Sequence, residues 1–162
     1  MEDDVVSIER LITEHEEALA KIRGCDEAAH DLESISQSWS PGRSAELEQE
    51  LTRLEEALES IGTYLAEHIR VEEQEFLPTL TKYAADIVSR GVLYEHGKIL
   101  ESISDLRKHA RDLVGKPADR EQLLNRQSKI KESINSIMQL VQEHAQKSEI
   151  IYDLAREALA KK

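Results

Sequence analysis

Apolar residues recur every three or four positions along most of this chain, which is the period of a helix with one buried face. The clearest stripe consists of Leu47, Leu51, Leu54, Leu58, Ile61 and Leu65. Comparable stripes cover residues 8–35, 99–113 and 123–151. The pattern predicts four long amphipathic helices.

Three short segments rich in Pro, Gly, Ser or Asp separate these helices, at residues 36–44, 78–86 and 114–120. Pro78 is expected to end the regular part of the second helix, because its ring clashes with the preceding turn, and a short further helix can follow it. Short connections between long helices make sequence neighbours antiparallel. The sequence therefore predicts an all-α protein, an up-down-up-down antiparallel four-helix bundle, with residues 1–162 forming a single domain.

Composition and charge narrow the function classes. Hydrophobic residues make up 40% of the chain and aromatic residues only 4%, which is typical of helical proteins. The net charge of -12 argues against nucleic acid and anionic membranes as partners. The acidic N-terminus, the lone cysteine Cys25 and the lack of an apolar run of about 18 residues predict a cytoplasmic protein without a disulfide.

Four of the six histidines interrupt the apolar stripes, one on each predicted helix. They are His15, His68, His96 and His144. At about 1.5 Å of rise per residue, His15 and His68 differ by only about 5 Å in height along the bundle. His96 falls at the same level, and His144 falls near it. The four imidazoles are therefore expected to meet.

Two carboxylates accompany these histidines. Glu72 follows His68 by four positions and shares its helix face. Glu149 follows His144 by five, about 140° around the helix, so it must reach around to the site. A lone histidine on an apolar face is usually a core residue, but four with two carboxylates need partners that leucines cannot supply. The sequence predicts a metal site.

The donor types limit the choice of metal. Nitrogen and oxygen donors without a thiolate favour iron or manganese over structural zinc. Six donors exceed what one tetrahedral ion takes, so two ions bridged by Glu72 and Glu149 are expected. The ferritin-like arrangement needs Glu-x-x-His on each of two helices, and that pattern occurs only at residues 27–30. The zinc-protease motif H-E-x-x-H is absent from the sequence.

The segment HIRVEEQEFLP, which begins at His68 and ends at Pro78, resembles the H-x-x-x-E-E-x-x-L/F-L/F-P signature of hemerythrin and the hemerythrin-like HHE cation-binding domains. The later HAQKSEIIY is similar to their fourth-helix motif, and the remaining histidines complete the order along the whole chain. The resemblance implies a non-haem di-iron centre with two oxo- or hydroxo-bridged Fe ions that binds O₂. It also implies that His15, His68, His96 and His144 are terminal ligands and that Glu72 and Glu149 are the bridges.

One departure from the family pattern affects the expected function. The oxygen-carrying members have two histidines one turn apart on the third helix, whereas Val92 and Leu100 occupy the positions four before and four after His96. One iron is then a ligand short, and Glu95, Tyr94 or water are candidates for that place. We expect binding or sensing of O₂ or a related ligand such as NO, without dedicated catalytic residues. A peroxide- or NO-processing di-iron enzyme and an iron-homeostasis protein are the open alternatives.

Overall fold

The structure, a computed structural model, describes residues 2–38, 40–82, 86–114 and 120–160. Its helices are α1 (Glu2–Gln37), α2 (Ser44–Val71), α3 (Leu77–Leu80), α4 (Asp86–Val114) and α5 (Arg120–Ala160). The described residues contain no strand, and the prediction of an all-α fold is confirmed. None of these helices, over the described residues, is long and apolar enough to cross a membrane.

The four long helices form an antiparallel bundle. Helices α1 and α4 each pack against both α2 and α5. Arg53 of α2 bonds Asp31 near the end of α1, whereas His68, later in α2, bonds Glu14 near the beginning of α1. The paired positions run in opposite directions, and the bonds between α4 and α5 show the same reversal. The predicted up-down-up-down architecture is therefore confirmed.

The buried apolar side chains form two clusters with a polar layer between them. The larger cluster includes Leu54 and Leu65 of α2, and the smaller one includes Leu11 of α1 and Leu77 of α3. The polar layer consists of the four histidines that interrupt the apolar stripes, together with Glu72. This layer interrupts the core near the end of the bundle where α1 begins.

The apolar pattern of α4 needs one correction. Leu100 is 39% exposed, although its spacing from Ile99 and Ile103 places it on the apolar stripe. It lies about 100° around the helix from Ile99, beyond the edge of the face that packs against α2 and α5. Val92 is buried and belongs to the smaller cluster.

The second helix changes its geometry before the proline. A π-helical turn over Glu72–Phe76 joins α2 to α3, and Pro78 lies in the first turn of α3. A missing backbone N–H costs little at that position. The regular α-helix thus ends earlier than predicted. The short further helix is expected after Pro78, over residues 79–86, whereas α3 covers Leu77–Leu80 and includes Pro78, and residues 81–82 form a turn. Trp39 and residues 115–119, which belong to the predicted connections, lie outside the described residues.

Leu54→Ala is expected to lower the free energy of unfolding by about 2–5 kcal/mol, because truncating a fully buried side chain leaves a cavity. Leu154→Ala is the matched control, since Leu154 is 62% exposed, and its effect should stay within about 0.5 kcal/mol. Equilibrium urea denaturation of the metal-free protein measures both changes. Equal losses in the two variants would contradict the burial of this face of α2.

Candidate metal centre

Five polar side chains meet inside the bundle. The imidazoles come one from each long helix, and the carboxylate comes from the first residue of the π-helical turn. Each side chain belongs to a residue that is only 1–3% exposed. They are His15, His68, His96, His144 and Glu72. The structure thus brings together five of the six residues that the sequence indicates for a metal site.

The spacing of the donor atoms suits a single ion. One ligand atom from each of His15, His68, Glu72 and His144 lies within 4.8 Å of every other. Two donors that are each about 2.1 Å from an ion are at most about 4.2 Å apart, so a small contraction brings these four onto one ion. His96 adds a fifth donor, because its Nε2 lies 2.9 Å from Glu72 Oε2.

Three of the imidazoles are paired through Nδ1 with a carboxylate from a different helix or from the π-helical turn. The pairs are His68 with Glu14 at 2.8 Å, His96 with Glu73 at 2.9 Å, and His144 with Glu95 at 3.2 Å. A carboxylate at Nδ1 fixes the orientation of the ring, and in His68, whose Nε2 has no hydrogen-bond partner among the described residues, it favours the tautomer that carries the proton on Nδ1. The Nε2 atom of each ring then faces the centre of the layer. This is the usual support of a histidine that binds a metal ion.

His15 differs from the other three because neither of its nitrogens has a hydrogen-bond partner among the described residues. Its ring lies edge-on to those of His68 and His144, with ring centroids 4.6 and 5.1 Å away. Burial, together with these two neighbouring imidazoles, lowers the pKa of His15 to about 3. The ring is therefore neutral at physiological pH, and its buried N–H without a partner costs about 1–3 kcal/mol. A metal ion would supply a partner for one of its nitrogens.

Glu72 is the negative charge at the centre. Its Oε2 lies 2.9 Å from His96 Nε2 and 3.3 Å from His144 Nε2, and its Oε1 accepts a hydrogen bond of 2.6 Å from the Tyr152 hydroxyl. Burial by itself raises the pKa of the Glu72 carboxyl, but the bonds with His144 and His96 outweigh it and hold that pKa well below its usual value. Burial likewise lowers the pKa of His96, and its bond to Glu72 raises it overall. Glu72 is thus an ionised carboxylate.

The structure does not bring Glu149 into the centre. Glu149 is exposed, whereas Ser148 beside it is buried, with its hydroxyl 3.5 Å from His144 Nε2. The reason is the spacing of five, which turns Glu149 about 140° away from His144 around α5. The structure thus places Glu149 outside the donor group, and its role as a bridge between two ions stays a prediction.

The residues considered for the missing ligand on the third predicted helix do not extend the donor set. Tyr94 is 64% exposed on α4. Glu95 bonds His144 Nδ1 and Lys147, on the outer side of the imidazole. Burial raises the pKa of the Glu95 carboxyl, but the bonds with Lys147 and His144 lower it overall. Glu95 therefore orients the His144 imidazole from outside and does not face the centre of the polar layer.

Sequence reasoning missed Ser148 and Tyr152, which contact His144 and Glu72 at the centre, and Glu14 and Glu73, which bond the outward Nδ1 of His68 and His96. Ser148 and Tyr152 follow His144 by four and eight positions, which places all three on one face of α5. That spacing was a usable signal for both. The role of Glu14 had no such signal, because its partner His68 lies on a different helix.

Fold and donor set together define the class of the protein as a four-helix bundle with a buried histidine and carboxylate group that could hold a metal ion. No family model matches the chain, and comparisons with curated proteins and with solved structures give no match. The resemblance to the hemerythrin-like domains therefore rests on the motif residues alone.

His15→Leu is expected to leave the metal-free protein as stable as the parent, or more stable by about 1 kcal/mol, because it removes a buried N–H that has no partner. His109→Leu is a suitable control, since His109 Nδ1 lies 3.2 Å from the Ser133 hydroxyl. This change breaks that hydrogen bond, so we expect no gain in stability. Urea denaturation in the presence of a chelator measures both. A loss of more than about 1 kcal/mol in His15→Leu would indicate that the ring serves packing instead.

Proposed function

We propose that this protein binds iron through His15, His68, Glu72, His96 and His144, and that the iron-loaded bundle captures or senses O₂ or a related small ligand such as NO. One observation carries most of the weight. Four buried imidazoles from four helices surround one ionised carboxylate, and some of their nitrogens have no partner among the described residues.

The main competing explanation is a polar layer that serves only the packing of the bundle. In such a layer nearly every buried polar atom has a hydrogen-bond partner. Here both nitrogens of His15 and the Nε2 of His68 lack one, and the nearest carboxylate oxygen to that Nε2 lies 3.7 Å away. A cation at the centre accounts for one nitrogen of His15 and for the Nε2 of His68, because it accepts lone pairs that otherwise have no partner.

The chemistry of the donors favours iron. The only thiol of the chain, Cys25, is buried in the larger apolar cluster and is not part of the layer. Imidazole and carboxylate ligands without thiolate suit iron and manganese, and five donors exceed the four of a structural zinc site. When bound, iron(II) supplies the redox chemistry towards O₂ and NO that these side chains lack. The chain itself holds the Nε2 atoms inward and excludes water with the apolar clusters on both sides.

The depth of the centre favours a small ligand. The five donor residues are 1–3% exposed, and apolar side chains such as Leu11, Leu65 and Ile99 pack next to them along the helices. A diatomic molecule can pass between packed side chains through small fluctuations, whereas a large substrate cannot. The proposed ligands are therefore O₂ and molecules of similar size.

The metal-binding part of the proposal predicts that protein purified without oxygen retains iron(II) after desalting. Bound metal should also stabilise the fold, by about 2.7 kcal/mol when free iron is 100 times its Kd. Glu72→Gln should weaken iron binding more than 100-fold, because it removes the only carboxylate donor in the described cluster. Metal analysis by plasma emission and thermal unfolding measure the two effects.

Glu75→Gln is the matched control for this experiment, since Glu75 lies in the same π-helical turn with its side chain exposed. It should bind iron like the parent. A parent protein that retains no metal, and whose melting temperature does not change on adding iron(II), contradicts the proposal.

The small-ligand part predicts that the visible absorption of the iron(II)-loaded protein changes when O₂ or NO is added. The zinc-loaded protein is the control and should show no change, because zinc has no redox chemistry and no such absorption. If iron is bound and neither gas alters the spectrum, the small-ligand function is wrong while metal binding stands.

A further inference from the structure

Among the described residues Tyr152 is the largest fully buried side chain, and its hydroxyl is directed at the centre. The phenol ring lies nearly parallel to His15, with ring centroids 6.1 Å apart, and edge-on to Phe76 at 4.7 Å. These contacts fix the ring on both sides. The hydroxyl therefore has a defined position, and from it donates a hydrogen bond of 2.6 Å to Glu72 Oε1.

The two oxygens of Glu72 thus have different surroundings. Oε2 faces the imidazoles of His96, His144 and His68, at 2.9, 3.3 and 3.7 Å from their Nε2 atoms. Oε1 faces the Tyr152 hydroxyl. A carboxylate that bridges two ions through its two oxygens needs both of them for metal, and here one of them already accepts a hydrogen bond from a fixed donor.

The described residues also offer no second bridge. The other three carboxylates of this region, Glu14, Glu73 and Glu95, each bond the outward Nδ1 of a histidine. Glu149, on the outer side of α5, is exposed. One carboxylate with a single oxygen that faces the imidazole nitrogens matches the needs of one ion.

We propose that Tyr152 is a positioning residue that restricts Glu72 to one coordinating oxygen, so that the centre holds one metal ion per chain and not a bridged pair. This inference rests on the proposed metal binding. It differs from the di-iron centre that the motif resemblance implies. The phenol also keeps Glu72 turned towards the histidines before any ion arrives.

The test uses cobalt(II), whose visible absorption reports the number of its ligands. The parent protein should bind one cobalt(II) ion per chain. Tyr152→Phe keeps the ring contacts with His15 and Phe76 and removes only the hydrogen-bond donor. It should weaken binding by about 10–100-fold and change the visible spectrum, because Glu72 becomes free to rotate and to offer both oxygens.

Tyr64→Phe is the matched control, since the Tyr64 hydroxyl also donates a 2.6 Å hydrogen bond to a carboxylate, that of Glu17, at the bundle surface. It should leave affinity, stoichiometry and spectrum unchanged. Circular dichroism checks that both variants fold, and Tyr152→Met serves as a second variant without a phenol.

Each outcome decides between the proposals. Two cobalt ions per parent chain would overturn the one-ion inference while leaving metal binding intact, and no bound ion would overturn the proposed function itself. A folded Tyr152→Phe protein with the affinity and spectrum of the parent would show that the phenol only fills space. The inference is supported if the parent binds one ion per chain and if Tyr152→Phe or Tyr152→Met alters the visible spectrum.

Discussion

The ionised carboxylate of Glu72 lies in the middle of an apolar bundle, and the arrangement around it follows from the need to compensate that charge. An isolated carboxylate buried in this way would cost several kcal/mol. Hydrogen bonds with His96, His144 and Tyr152 distribute the compensation over both of its oxygens. Helices α4 and α5 therefore cannot slide past the π-helical turn that carries Glu72 without breaking one of these bonds.

Pairing of opposite charges and hydrogen-bonding groups continues outward from the centre to the surface. Arg10 bonds Glu14, which bonds His68, and Lys147 bonds Glu95, which bonds His144. In each chain of contacts a surface cation supports a carboxylate, and the carboxylate orients an imidazole. The inward direction of the Nε2 atoms is thus set by side chains that never touch the centre. Such outer partners tune metal affinity as well as geometry.

The fold and five of the six candidate ligands were predictable because both depend on helical periodicity. The stripes fixed the number of helices, and counting residues placed His15, His68 and His96 at one height. The spacing of five already turned Glu149 about 140° from His144, so its exposed position was indicated by helical geometry, whereas the motif resemblance favoured a bridge. Hydrogen bonds between helices, such as that between Glu14 and His68, could not be predicted, because no local sequence pattern encodes which side chains meet across a bundle.

Several departures from ideal helical packing occur together in this layer. Glu72 begins a π-helical turn, His15 keeps two buried nitrogens without partners, and a charge replaces leucine in the core. Single π-helical turns are often found at functional sites. Proteins commonly depart from ordinary packing rules at such sites. A metal-free bundle of leucines at these positions would be more stable. The proposed cation would give one nitrogen of His15 and the Nε2 of His68 a partner and would balance the charge of Glu72.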